Sequence, residues 1–186
     1  MDAAVKEAAI ARFLREHPQI EQAVCDHPAL LGCADVNWSQ IPGCPAGIPV
    51  LFHGLLDEAA GPEALRVLGN VLMNSVFHVS AVMSAALPFL IRLAAVPDIA
   101  VRPGLLDLLV VAAELSQPVD ADDERQVLLF GEDCDHPERE WCRVAFAAHA
   151  FALRALLEDE TLPDGLISAD DRECLLKAVE PQRRPS

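Results

Sequence analysis

The feature that most constrains the fold of this chain is an internal period of about 40 residues. Residues 48–56 are apolar with a proline in second position, and residues 87–95 repeat that pattern 39 residues further on. Each of these segments precedes a polar break and a second apolar helical pattern, at residues 64–72 and 105–113, and that second pattern returns at residues 144–152. Helix pairs that recur at this spacing bury their apolar faces by stacking, so the period predicts a curved array of helix pairs.

Composition supports an all-α fold without a β-sheet. Runs that alternate polar and β-branched residues are nearly absent, which gives strands little support. Aromatic residues make up only 5% of the chain and Tyr does not occur, so the core must be built from Leu, Val and Ala. The helical patterns predict the following core residues: Leu51, Leu55, Leu68, Leu90, Leu109, Ala148 and Ala152.

Three sequence segments resemble parts of HEAT or armadillo repeats. The segments Ile-Pro-Val-Leu (48–51) and Leu-Pro-Phe-Leu (87–90) lie at the spacing of such repeats, and Ala-Leu-Arg-Val-Leu (64–68) follows a proline-containing turn. The resemblance covers residues 48–157 and implies a right-handed α-α superhelix of about 7–9 helices in antiparallel pairs. Arrays of this kind most often serve as protein-binding scaffolds or regulators, whereas a minority act on DNA bases or attach chromophores.

The sequence predicts a single helical-repeat domain that covers residues 1–186. Residues 1–47 form an N-terminal cap with an irregular loop anchored by Trp38 and Ile41, and residues 48–157 hold the repeats. Residues 158–186 form a C-terminal cap, in which Ser168 is the predicted N-cap of the last helix. A long helix is predicted over residues 138–158, with one apolar stripe of side chains buried. That stripe comprises Trp141, Val144, Ala145, Ala148, Phe151, Ala152 and Ala155.

Residues 71–91 contain no charged side chain, so this stretch could be either a membrane-spanning helix or a helix buried in the core. Polar side chains recur through this stretch and Pro88 interrupts its end, so a buried helix over residues 76–95 is predicted. The N-terminal segment is amphipathic rather than signal-like, which predicts a cytoplasmic protein without membrane association. In that compartment cysteines are expected as free thiols rather than disulfides. The six cysteines are Cys25, Cys33, Cys44, Cys134, Cys142 and Cys174.

An acidic segment, residues 120–140, contains nine carboxylates offset by only two arginines. One interpretation is a surface that binds a basic protein, and another is a solvated loop. A calcium loop is a third, but the expected glycine is missing from residues 120–124. The predicted partner-binding residues are Asp120, Asp122, Asp123, Glu124, Glu132, Asp133 and Asp135.

Two smaller groups of residues are the alternatives to the acidic segment. Polar side chains on successive helices predict a groove for a peptide or small anion, formed by His53, Arg66, Asn70, Asn74 and His78, with Arg92 and Arg102 near it. Cys134, His136 and Cys142 are zinc-type ligands, but their spacing matches no paired-ligand motif and no fourth ligand is evident beyond Cys25 or Cys174. No metal and no cofactor are therefore predicted.

The net charge of −15 disfavours nucleic acid as a partner and favours a basic protein. The sequence contains no nucleophile elbow, phosphate-binding glycine loop or metalloprotease motif. The predicted function is therefore a non-enzymatic interaction module, with an inhibitor or immunity-like protein as its most specific version. The alternative is an enzyme or small-ligand binder that uses the groove around His53 and His78.

Overall fold

Ten α-helices and one β-hairpin make up the part of the chain that the computed structural model describes, residues 3–21, 27–163 and 165–180. The helices are α1 (Ala3–Glu16), α2 (Pro18–Glu21), α3 (Ile48–Gly54), α4 (Gly61–Leu72), α5 (Val82–Ala94), α6 (Arg102–Leu115), α7 (Glu124–Phe130), α8 (Pro137–Ala148), α9 (Ala150–Leu157) and α10 (Ala169–Ala178). The hairpin pairs β1 (Met73–Ser75) with β2 (His78–Val79) in antiparallel orientation. The predicted, mostly helical class is confirmed.

Helix starts follow the local signals in the sequence. Prolines lie in the first turn of α3, α4, α6 and α8, where a missing N–H breaks no intrahelical hydrogen bond. Ser168 caps α10, since its Oγ accepts a hydrogen bond from the backbone N of Asp171 at 3.0 Å. The predicted N-cap at Ser168 is therefore confirmed.

The core is centred on α5, which packs against α6, α8, α9 and the 3-10 turn Pro28–Leu30. Trp38 anchors the irregular N-terminal loop to this core, as predicted. Its ring lies against Phe52 and Phe89, and its Nε1 donates to the carbonyl oxygen of Cys33 at 2.9 Å. Because these rings come from the loop, from α3 and from α5, they join the N-terminal cap to the centre of the molecule.

The five leucines predicted to lie in the core are confirmed as buried: Leu51, Leu55, Leu68, Leu90 and Leu109. We expect Leu68→Ala and Leu109→Ala each to lower the free energy of unfolding by about 2–5 kcal/mol, since each leaves a cavity in a closely packed core. Urea unfolding followed by circular dichroism measures this change. Leu128→Ala is the matched control, because Leu128 is 86% exposed. Equal, near-zero changes at all three positions would contradict the assigned core.

The prediction that α8 and α9 bury the stripe containing Trp141 is wrong. Ala148 is exposed and Ala152 only half-buried, while Trp141 and Phe151 are 45% and 88% exposed. The opposite side of these helices faces α5, and it contributes Cys142, Phe146, Leu153, Leu156 and Leu157 to the core. Both stripes have helical spacing, so periodicity did not distinguish the buried side from the exposed one.

The prediction of a helix from residue 76, without a sheet, is also wrong. α4 ends at Leu72, where the buried Lys6 donates from its ammonium group to the carbonyl oxygen of Val71 at 2.8 Å and to Oδ1 of Asn74 at 3.3 Å. The hairpin follows and α5 begins only at Val82. Within the described residues, no helix combines the length and apolar composition needed to cross a membrane.

Candidate functional site

The acidic segment folds as a turn, α7, the 3-10 turn Asp133–Asp135 and the start of α8. Asp123 is the N-cap of α7: its Oδ1 accepts hydrogen bonds from the backbone N of Arg125 and Gln126, at 3.0 and 3.2 Å. Its Oδ2 accepts from the side-chain amide of Gln126 at 3.0 Å. Asp123 therefore has a structural role in starting α7, because N-cap carboxylates satisfy the first free N–H groups of a helix.

Asp133 is held between two arginines of α8. Its Oδ1 lies 3.0 Å from Nη1 of Arg139, and its Oδ2 lies 3.3 Å from Nη2 of Arg143. Arg139 is buried and also donates to the carbonyl oxygens of Phe130 and Gly131. These contacts fix the end of α7 and the following turn onto α8, so Asp133 contributes to the fold of the segment.

Five other carboxylates of the segment face solvent, and none forms a salt bridge with a residue that the structure describes. They are Asp120, Asp122, Glu124, Glu132 and Asp135. Their negative charges add up because they lie within one short stretch of chain. They are the predicted partner-binding residues that remain available to a partner.

Apolar side chains accompany these carboxylates. Leu128 and Leu129 of α7 are 86% and 39% exposed, and Val76 at the tip of the hairpin is 79% exposed. Phe77 packs edge-on against Phe130 at a centroid distance of 5.6 Å, which places the hairpin tip beside the end of α7. We call the five exposed carboxylates together with Val76, Phe77, Leu128 and Leu129 the acidic–apolar surface.

The sequence does not predict the hairpin tip as part of a site, because its apolar pattern favours one helix over residues 76–95. Its contact with α7 depends on His78, whose Nε2 lies 3.1 Å from the carbonyl oxygen of Phe130 and whose Nδ1 lies 2.8 Å from Oγ of Ser75. The ring of His78 also packs on that of His136 at 4.4 Å. The apolar run at residues 127–130 was a usable signal, since an amphipathic helix within an acidic stretch has an apolar side to cover.

The residues of the predicted groove are dispersed. His53 lies half-buried on α3, where burial lowers its pKa, and Arg66 on α4 is exposed and paired with Glu63 at 2.6 Å. Asn70 is exposed on α4, Asn74 lies in β1 beside Lys6, and His78 contacts α7. Among the described contacts, none joins His53 or Arg66 to His78.

The two arginines expected near the groove serve the fold elsewhere. Arg92 lies over the ring of Phe89 and donates to the carbonyl oxygen of Leu31, and Arg102 is buried with a salt bridge to Asp159 at 2.9 Å. An open cavity of about 520 Å³ follows the end of α3. Its lining includes His27, Asp57, Glu58 and Asp98 but neither His53 nor His78.

Cys134, His136 and Cys142 do not converge on a common point. Cys134 is exposed with its Sγ 3.4 Å from a carboxylate oxygen of Glu132, whereas Cys142 is fully buried in α8. Burial raises the pKa of Cys142 to about 12, which keeps that thiol protonated at neutral pH. In residues 3–21, 27–163 and 165–180, no group of three or more His, Cys, Asp or Glu side chains is arranged to hold a metal ion. Cys25, one of the possible fourth ligands, lies outside these residues.

Comparison of the chain with protein-family models, with curated proteins and with solved structures found no match. The acidic–apolar surface, with the charge and exposure of its residues, is therefore the feature of this chain that points to a function.

Proposed function

We propose that this protein is a non-enzymatic interaction module that binds a basic protein through the acidic–apolar surface. The observation that carries the proposal is Leu128, which is 86% exposed on a helix bordered by carboxylates without salt bridges to the described residues. Specific protein interfaces combine a desolvated apolar centre with a polar rim. Leu128, Leu129 and the hairpin tip supply the centre, and the carboxylates supply the rim.

The charge of the surface sets the chemistry of the partner. Exposed carboxylates attract a partner rich in Lys and Arg and speed its encounter, and they repel phosphate backbones. The net charge of −15 acts in the same direction at longer range. A small acidic protein that covers the basic surface of its partner acts as an inhibitor or immunity-like protein, which is the most specific form of the proposal. The proposal places the protein in the cytoplasm.

The proposal also includes a HEAT-like scaffold with a right-handed superhelix of antiparallel helix pairs. The packing of neighbouring pairs supports it: α3 packs on α4, and α5 packs on α6. The next pair continues the pattern, because α8 and α9 pack on α5 while α10 packs on α6. In such an array each pair contacts its neighbours and leaves the connecting segments free to carry a binding surface.

We expect reversal of the exposed carboxylates to slow partner binding. The variant carries Asp120→Lys, Asp122→Lys, Glu124→Lys and Asp135→Lys, and it leaves the structural residues Asp123 and Asp133 unchanged. Loss of electrostatic steering lowers association rates by about 100-fold. The partner is first identified by affinity capture from a lysate of the source cell, and association is then measured by surface plasmon resonance at several salt concentrations.

Two further variants complete this experiment. Leu128→Ser is expected to speed dissociation, because it removes an apolar contact without changing charge. His53→Ala with Arg66→Ala serves as the matched control and should bind like the wild type. If the reversal variant binds normally while the control loses binding, the acidic–apolar surface is not the binding site, and the alternative groove takes its place.

A further inference from the structure

Two histidine rings are in contact where the hairpin meets the acidic segment. His78 lies in β2, and His136 is the N-cap of α8. Their ring centroids are 4.4 Å apart, and the ring planes are inclined by 38°. We call these two side chains and the carbonyl group of Phe130 the histidine joint. Because histidine ordinarily changes charge between pH 5 and 8, this joint holds two groups that can respond to pH.

The hydrogen bonds of His78 are complete when its ring is neutral. Its Nε2 lies 3.1 Å from the carbonyl oxygen of Phe130, which can only accept, so Nε2 carries the hydrogen. Its Nδ1 lies 2.8 Å from Oγ of Ser75, which itself accepts from the backbone N of Phe77 at 3.3 Å. The hydroxyl hydrogen of Ser75 is therefore free to be donated to Nδ1. The neutral ring thus uses both of its nitrogens and holds the hairpin on the end of α7.

A proton on His78 would lie beside other positive charges. The guanidinium group of the buried Arg139 donates to the same carbonyl oxygen of Phe130 as His78 does. On the other side of the joint, Nδ1 of His136 lies 2.9 Å from a carboxylate oxygen of Glu138, so a charged His136 forms an ion pair with that residue. A charged His78 would then face both His136 and Arg139, and like charges at such distances oppose each other strongly at a partly buried site.

No carboxylate offsets a charge on His78 directly. The other charged groups on the elements around the joint are Lys6 of α1, Glu114 of α6, and Glu132, Asp133 and Asp135 of the acidic segment. Asp133 is paired with two arginines, and Lys6 bonds to the backbone and to a side chain of β1. The other three are exposed, where salt screens them. Among the described hydrogen bonds and salt bridges, none joins a carboxylate to His78.

We propose that the histidine joint is a pH-sensitive contact, which favours release of the hairpin tip from α7 as the pH falls from about 7.5 to about 5.5. Opening separates the two rings and exposes His78 to water, so the open form takes up a proton that the closed form excludes. The form that binds more protons gains population as the pH falls, so acid favours opening. Release moves Val76 and Phe77 away from Leu128 and Leu129 and so divides the acidic–apolar surface. The effect on a partner rests on the function proposed above, whereas the opening itself does not.

Amide hydrogen exchange of the protein alone, measured by NMR at pH 7.5 and 5.5, tests the joint. Each rate is first corrected for the intrinsic pH dependence of exchange. One proton taken up by an exposed imidazole, which ordinarily titrates near about pH 6.5, raises the opening equilibrium about tenfold between these two conditions. The corrected rates of the hairpin amides and of Gly131, whose N bonds to the carbonyl oxygen of Val127 at 2.8 Å, should rise by that factor. The amides of α5 should change little.

Three variants assign the effect to the joint. His78→Gln retains a side-chain N–H for the carbonyl oxygen of Phe130 but takes up no proton, so its corrected rates should be equal at the two pH values. His136→Gln leaves the hydrogen bonds of His78 in place and removes the facing ring, so its change with pH should be smaller than that of the wild type. His53→Gln is the matched control, since it removes another half-buried imidazole, on α3, and it should keep the tenfold change. Equal corrected rates in the wild type at both pH values, or a tenfold change that persists in His78→Gln, would overturn the proposal.

The exchange experiment needs no partner, so it separates this inference from the proposed function. If the wild type opens about tenfold more at pH 5.5 while the carboxylate reversal leaves partner binding intact, the joint stands and the proposed binding surface is wrong. If the reversal slows binding while the corrected exchange rates ignore pH, the binding surface stands and the joint is wrong.

Discussion

Phe52→Ala is expected to lower the free energy of unfolding by about 4–5 kcal/mol, near the upper end for a buried aromatic residue. Phe52 is fully buried, and its ring contacts Phe89 at 5.4 Å and Trp38 at 6.0 Å. Its removal leaves a cavity and also ends two aromatic contacts, which stabilise beyond their buried area. Urea unfolding measures the loss, and a red shift of tryptophan fluorescence reports the loosened packing around Trp38.

Phe151→Ala is the matched control, because it makes the same chemical change at an 88% exposed position. Its effect should stay within about 0.5 kcal/mol. If the two variants lose similar stability, the three-ring contact is not the part of the core that holds the N-terminal loop.

Arg139→Met should lower the free energy of unfolding by about 1–3 kcal/mol, because it takes away the donor that the buried guanidinium group supplies to part-buried carbonyl oxygens. Methionine fills a similar volume but donates no hydrogen bonds, so Asp133 and the carbonyl oxygens of Phe130 and Gly131 lose a donor. Urea unfolding at pH 7 gives the change, and hydrogen exchange should show faster opening of α7 than in the wild type.

Arg125→Met tests whether the effect belongs to the buried site rather than to the charge of the segment. Arg125 is exposed on α7, so its replacement removes the same positive charge and should change stability by less than about 0.5 kcal/mol. A loss at Arg125 as large as that at Arg139 would mean that the segment depends on overall charge balance. The contacts around Asp133 would then not explain its structure.

Much of the fold follows from local sequence signals. Prolines open α3, α4, α6 and α8, and Ser168 caps α10. Each of these signals acts within one helical turn, so it can be recognised from the sequence alone. The hairpin has no comparable local signal, and the carbonyl oxygen of Val71 just before it accepts a hydrogen bond from Lys6, 65 residues away in the chain. The prediction for α8 and α9 is wrong because these helices carry two apolar stripes, and only the position of α5 decides which of them is buried.

The candidate site was predictable in composition but not in detail. Clustered carboxylates identified residues 120–140, yet the sequence does not distinguish the exposed Asp122 from Asp133, which two arginines hold. That distinction depends on α8 placing Arg139 and Arg143 beside the preceding turn. The contribution of the hairpin tip depends on the tertiary contact between His78 and Phe130.

The carbonyl oxygen of Phe130 has a consequence for how the protein binds. It lies within hydrogen-bonding distance of Nε2 of His78 and also accepts from Arg139, so one backbone atom ties the hairpin, α7 and α8 together. The two apolar parts of the surface are thus held in place before any partner arrives. Ordering loops on binding costs conformational entropy, and a preorganised surface avoids that cost. Binding of a partner should therefore slow amide exchange only at the residues that the partner covers. The exchange rates in the rest of α7 and the hairpin should stay nearly unchanged.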